Sequence, residues 1–210
     1  MATAKDNILN RLKEIKKNPS ALPYPNLQKE ALEIYPEPTD SLDVLFAQTF
    51  QQNGGKFVFC ASQKELIDNL QLLSQQKKWS NVYCWETELQ ELFDEQGFAY
   101  QAQKEALIDS DASITTCEAL IARTGSVLLS SNTASGRSLS IVPPVHIVIA
   151  TSNQVIYNLK EVLNLQTARE DSWPSMLCFA STNSRTADIE KTLVNGAHGP
   201  KELYVFFLEI

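Results

Sequence analysis

Between residues 112 and 159 the chain carries three charged side chains, Glu118, Arg123 and Arg137, where its overall 20% would place about ten. Charged residues are the ones most reluctant to be buried, so a long stretch that omits them is built to be covered. The segment therefore predicts buried sheet. Within it ALIA (119–122), SVLLSS (126–131) and HIVIA (146–150) read as strands, and Thr124-Gly125 and Ser135-Gly136 as turns. Part of the sheet is thus expected to be an antiparallel hairpin.

The flanks read as strand and helix in alternation. Upstream, Gly54-Gly55 precedes the strand KFVFC (56–60), then come the helix QKELIDNLQLLSQQ (63–76), the strand NVYCW (81–85) and the helix TELQELFDEQ (87–96). Downstream, SNQVIYNLKEVLN (152–164) has helical spacing, MLCFA (176–180) is a strand, TADIEKTLVN (186–195) a helix and LYVFFLEI (203–210) the last strand. Five apolar residues in a row, Tyr204 to Leu208, imply burial on both faces. The class is α/β, with an open, mostly parallel sheet and flanking helices. Residues 53–210 form this domain.

Residues 1–52 read as a helical arm and linker. Ala4, Ile8, Leu12 and Ile15 recur at helical spacing, and five of the nine prolines fall between Pro19 and Pro38, favouring an extended connection. Thr39, Asp40 and Ser41 then offer cap chemistry for a helix bearing Leu42, Leu45, Phe46 and Phe50.

Several function classes fall away. With a formal charge of −7 and scattered basic residues, the chain is not expected to bind nucleic acid. No run approaches the roughly 18 apolar residues of a membrane span. The amino terminus lacks the apolar core of a secretion signal, and Asp6 and Glu14 fit a transit peptide poorly, so the protein reads as cytoplasmic. Cys60, Cys84, Cys117 and Cys178 are dispersed, with no C-x-x-C pair and no G-x-G-x-x-G elsewhere. Free thiols are expected, with no metal and no cofactor.

The most chemically loaded stretch is TNSRTADIEKTLVNGAHGP (182–200). As strand, polar turn and helix it is well capped by Asn183 or Ser184, with Asp188 in the first turn and Asn195-Gly196 at the end. Arg185 departs from that pattern, because a cation at a helix start opposes the dipole by about 0.3 to 1 kcal/mol. Two explanations stand: it receives an anionic ligand at the carboxyl end of a strand, or it pairs with Asp188. His146 in PPVHIV and His198 in NGAHGP are either satisfied turn residues or members of the same site. Arg137 must find an anion or reach solvent.

The ordered series EALIARTGSVLLSS, GRSLSIVPPVHIVIA and NSRTADIEKTLVNGAHGP, over roughly residues 53 to 210, resembles the LUD-domain family, which includes the lactate utilization protein C proteins. The resemblance implies a fold similar to the sugar-phosphate isomerase and CoA-transferase superfamily, with a cleft at strand ends. It also implies association with systems oxidising L-lactate to pyruvate, whose partner subunits carry iron–sulfur clusters. Carried over by position, the family elements are Thr124, Gly125 and Ser126, then Pro143, Pro144 and His146. They continue through Ser184, Arg185, Thr186, Asp188 and Glu190 to Gly196, His198, Gly199 and Pro200. Two departures stand out: Arg123 replaces the acid of A-E-T-G-T, and Thr182-Asn183-Ser184 replaces T-G-P-S.

Three functions follow. The first is an accessory or substrate-handling subunit of a lactate-oxidising system. There Arg185, with Arg137 or Arg123, holds lactate, pyruvate or a phosphorylated compound, and His146 or His198 orients it or exchanges a proton. The second is a stand-alone CoA-transferase-like or phosphosugar isomerase-like enzyme, for which Glu118 and Glu190 are the candidate nucleophiles. The third is a non-catalytic interaction module whose arm grips a partner or a second copy in a homo-oligomer.

Overall fold

The computed structural model describes residues 3–17, 35, 37–162, 173–186 and 194–210. It divides into two compact units, Met1–Glu37 and Pro38–Ile210. In the first, helix α1 (Ala4–Lys17) starts where Thr3 and Asp6 cap each other: the Thr3 amide and hydroxyl donate to Asp6 Oδ2, and the Asp6 amide donates back to Thr3 Oγ1. Most of the proline-rich connection lies outside the described residues.

The second unit opens with helix α2 (Leu42–Gln52), which the sequence grouped with the arm, and strand β1 (Lys56–Cys60). Helix α3 (Gln63–Lys77), strand β2 (Val82–Tyr83), helix α4 (Thr87–Gln96) and strand β3 (Ala112–Thr115) follow. The remaining strands are β4 (Ala119–Ile121), β5 (Ser126–Ser130), β6 (Val145–Thr151), β7 (Val155–Ile156), β8 (Leu177–Ala180), β9 (Arg185–Thr186), β10 (Val194–Asn195) and β11 (Glu202–Leu208).

Five strands form a wholly parallel central sheet in the order β1-β11-β6-β3-β2. A second, mixed sheet runs β7-β4-β5-β8. On one face of the parallel sheet, Ile114, Ile147 and Phe206 pack with Leu66, Leu70 and Phe93 of α3 and α4. On the other, Val148, Val205 and Phe207 pack with Phe46 and Phe50 of α2 and with Leu120 and Val127 of the second sheet. Burial of each large side chain stabilises by roughly 1.5 to 3 kcal/mol, so the parallel sheet is the structural centre. No helix among the described residues is long and apolar enough to cross a membrane.

The expected hairpin exists as β4 and β5, but in the second sheet rather than the parallel one. Strand β3, read from sequence as part of a buried middle but not as a strand, takes an interior place between β6 and β2. Although residues 159–162 are helical, the helix expected over 152–164 does not begin at Ser152. There Gln154 closes a single 3-10 turn by accepting the Thr151 amide at 2.8 Å, and its Nε2 donates to the Cys117 carbonyl at 2.6 Å. These bonds direct Val155 and Ile156 into parallel pairing with Leu120 and Ile121.

Candidate functional site

The stretch from 182 to 200 folds differently from its capped-helix pattern. Arg185 and Thr186 are extended and pair antiparallel with Val194 and Asn195. The helix expected from Thr186 therefore does not start there, and the rest of it, 187–193, lies outside the described residues. Asp188 and Glu190 lie outside the described residues. Long-range bonds outweigh local capping here: the Ser184 amide donates to the Pro200 carbonyl at 2.9 Å, and the Gly196 amide donates to the Ser184 carbonyl at 2.8 Å. Gly196 holds a φ of +76°, and a side chain at Gly199 would press on Ser184 Cβ at 3.2 Å. The two most specific family elements are thus folded against each other.

Arg185 is exposed and is held by neutral groups. Its Nη2 donates to the Asn53 carbonyl at 3.2 Å and its Nε to Asn183 Oδ1 at 3.3 Å. The guanidinium lies over Gly54, where an added Cβ would stand 2.3 Å from Nη2. Asn183, one of the departures from the family pattern, is therefore a support for the arginine. Among the described residues the ion pairs are Glu202 with Lys56 and Lys77, so Arg185 keeps its charge unpaired there.

Beside Arg185 opens a cavity of about 350 Å³. His146 and Leu203 contribute from the parallel sheet, Leu129, Cys178 and Ala180 from the second sheet, and Thr182, Ser184, His198, Gly199 and Pro200 from the polar segment. Among the described residues no Asp or Glu lines it. The expected location, the carboxyl ends of strands, holds for β8 and for Leu129 near the end of β5, whereas His146 and Leu203 stand near the amino ends of β6 and β11. The Pro144 carbonyl brings those two ends together by accepting the amides of Lys201 at 2.7 Å and Glu202 at 3.2 Å.

His146 is 1% exposed, with Nε2 2.9 Å from Thr115 Oγ1. Burial pushes its pKa down to about 4, so the ring is neutral near pH 7. His198 is exposed, and its backbone amide donates to Ser184 Oγ at 3.4 Å. Burial pushes the Cys178 thiol upward, so it enters the wall uncharged. Among the described residues of the lining, Arg185 carries the fixed charge, which suits a small anion.

Other expected site residues stand elsewhere. Arg137 is exposed, donates from Nη2 to the Ser175 carbonyl at 3.0 Å and does not line the cavity. Arg123 reaches Asn158 Oδ1 at 3.5 Å. Thr186 does not line the cavity either. Thr124, Gly125 and Ser126 form a support: Gly125, at φ +56°, lies so close to α2 that an added Cβ would be 2.5 Å from the Phe50 nitrogen. Asn53 Nδ2 donates to the Thr124 carbonyl at 2.9 Å, and Ser126 Oγ lies 2.7 Å from Ser181 Oγ. These bonds tie the residue that holds Arg185 to the end of β8. Sequence reasoning missed Thr115, Cys178, Thr182 and Glu86. Two of them leave a signal: Thr182 opens the polar stretch of 182–200, and Glu86 is an acid directly after the apolar run NVYCW.

The parallel sheet backed by a mixed sheet, with a basic cavity between them, defines a class that comparison with known proteins identifies. The chain belongs to the LUD domain family, which matches residues 86–208. Among relatives, lactate utilization protein C of Halalkalibacterium halodurans is 36% identical over 94 residues, 43% of this chain and 41% of that protein. The protein of the same name from Deinococcus radiodurans is 34% identical over 98 residues, 46% of this chain and 45% of that protein. An uncharacterized protein of Neisseria meningitidis serogroup B is 35% identical over 95 residues, 45% of this chain and 41% of that protein. The chain thus matches less than half the length of these curated relatives. A crystal structure of a DUF162 family protein from Deinococcus radiodurans superposes with a TM-score of 0.57 at 18% identity, covering 82% of this chain and 99% of that one, a likeness of fold.

Proposed function

We propose that this chain is an accessory, substrate-handling subunit of an L-lactate utilization system, and that the cavity beside Arg185 receives a small anionic metabolite: lactate, pyruvate or a phosphorylated compound. One observation carries the reading. An arginine without an acid partner among the described residues shares a cavity with both histidines, and none of the described residues lining that cavity is a carboxylate. Relatives named lactate utilization protein C supply the metabolic context. In this reading Arg185 holds the carboxylate, His198 closes the open side, and His146 meets the ligand from the sheet. Electron transfer falls to partner subunits carrying iron–sulfur clusters, since the four cysteines of this chain are free and dispersed. Free thiols also suit a cytoplasmic setting. The layered parallel sheet supports kinship with the sugar-phosphate isomerase and CoA-transferase superfamily.

Thermal shift and calorimetry with L-lactate, pyruvate and a sugar phosphate test the site. At least one of these anions stabilises the wild type, and Arg185→Gln weakens its binding about tenfold or more, the scale of a lost charge-assisted hydrogen bond. Absence of stabilisation by all three removes the site.

A further inference from the structure

We infer that Thr115 and Glu86 are positioning residues that hold His146 in one tautomer, with the proton on Nε2, so that Nδ1 serves the cavity as a hydrogen-bond acceptor. The contact between His146 Nε2 and Thr115 Oγ1 at 2.9 Å does not by itself say which atom donates. Thr115 decides it. Its hydroxyl has a single proton and the Thr116 carbonyl oxygen, 2.9 Å away, can only accept, so both contacts are hydrogen bonds at once only when the hydroxyl donates to that carbonyl and accepts from the ring. The ring proton therefore sits on Nε2 and the lone pair on Nδ1. Nδ1 has no protein partner among the described residues, and the ring lines the cavity although it is 99% covered.

The support extends one step further back. The Thr116 amide donates to Glu86 Oε2 at 2.7 Å, and Glu86 Oε1 accepts the Ser135 hydroxyl at 2.6 Å. Glu86 is 7% exposed, and a carboxylate this covered needs such bonds. By pinning Thr116 it keeps that residue's carbonyl where the Thr115 hydroxyl must point. Neither Glu86 nor Thr115 lines the cavity, so both act through His146. This adds a specificity to the proposed site and, for that step only, rests on it. A ligand whose acidic group meets Arg185 is favoured if it also offers a hydroxyl or amine proton to Nδ1. A carbonyl oxygen at the same point meets a lone pair.

The tautomer is read without any ligand. Long-range proton–nitrogen correlation spectra of the uniformly labelled full chain at pH 7 contain two histidine ring patterns, and His146→Gln identifies which one is His146. The expected pattern has a protonated Nε2 and a bare Nδ1. Thr115→Val mixes the tautomers, Thr115→Ser restores the single form, and Glu86→Ala gives an intermediate spectrum with amide dispersion retained. A protonated Nδ1 in the wild type overturns the inference, as does a Thr115→Val spectrum identical to wild type. An unchanged Glu86→Ala spectrum removes Glu86 from the assignment. For the specificity, binding of L-lactate about tenfold tighter than pyruvate is expected. Equal binding overturns that step while leaving the anion site standing, and binding of neither strikes the site rather than the tautomer.

Discussion

Strand β11 and the polar segment just before it are neighbours in sequence held by different forces. From Leu203 to Leu208 every side chain of β11 is buried, between β1 and β6 in the sheet and between helices and a second sheet across it. The described residues of the polar segment, 182–186 and 194–200, have half-covered and exposed side chains, and what fixes them is a few backbone bonds to Ser184 and the clearances at Gly54 and Gly199. Burial sums over many contacts and has no direction, whereas each hydrogen bond contributes about 1 kcal/mol and demands a geometry. The first region should therefore lose stability when altered. The second should lose the shape of its site.

Phe206→Ala tests the first half of that contrast most severely. The ring is 1% exposed, and its removal should cost about 3 to 5 kcal/mol in urea unfolding. His146 links the two regions, lying on β6 opposite Leu203 of β11 and lining the cavity beside the polar segment. With a folded pKa near 4 against an unfolded value of 6.5, the unfolded chain binds the extra proton between those values. Stability should therefore fall as pH drops from 6.5 to 4, by on the order of 3 kcal/mol from this group, and level off below. His146→Gln should remove that slope from a pH series of unfolding curves. The smallest effect on stability, about 1 to 2 kcal/mol for an alanine at positive φ, is expected of Gly54→Ala. Its larger effect should appear in calorimetry as weakened anion binding, since the new methyl displaces Arg185. A Gly54→Ala protein that binds as well as wild type would erase the distinction between the two regions.

The same contrast explains what could be read from the chain. Helices α3 and α4 and strands β1, β5, β6, β8 and β11 follow from apolar periodicity and turn residues, signals local to each segment. Strand β3, with sequence ASIT, has Ser113 and Thr115 where apolar residues would have marked it. Their hydroxyls are satisfied by the distant Leu139 carbonyl at 2.6 Å and by the bonds around His146. The readings of 152–164 and 186–195 as helices failed at Val155 and Thr186 for a related reason. A glutamine and a glycine made long-range bonds that local propensity does not contain. Arg185, His146 and His198 stand out by residue type and do share the cavity. Arg137 was chosen on the same grounds and does not, because charge in a buried-looking stretch does not say which way a side chain leaves it.

The placement of β11 also bears on how the chain is made. Strands β1 and β6 both wait for residues 202–208 to come between them. Until that segment leaves the ribosome, each presents an unsatisfied apolar edge, the surface on which wrong neighbours assemble. A message cut short before codon 202 should therefore yield aggregates rather than a smaller folded protein, and nascent chains should depend on holding chaperones until synthesis has passed that point.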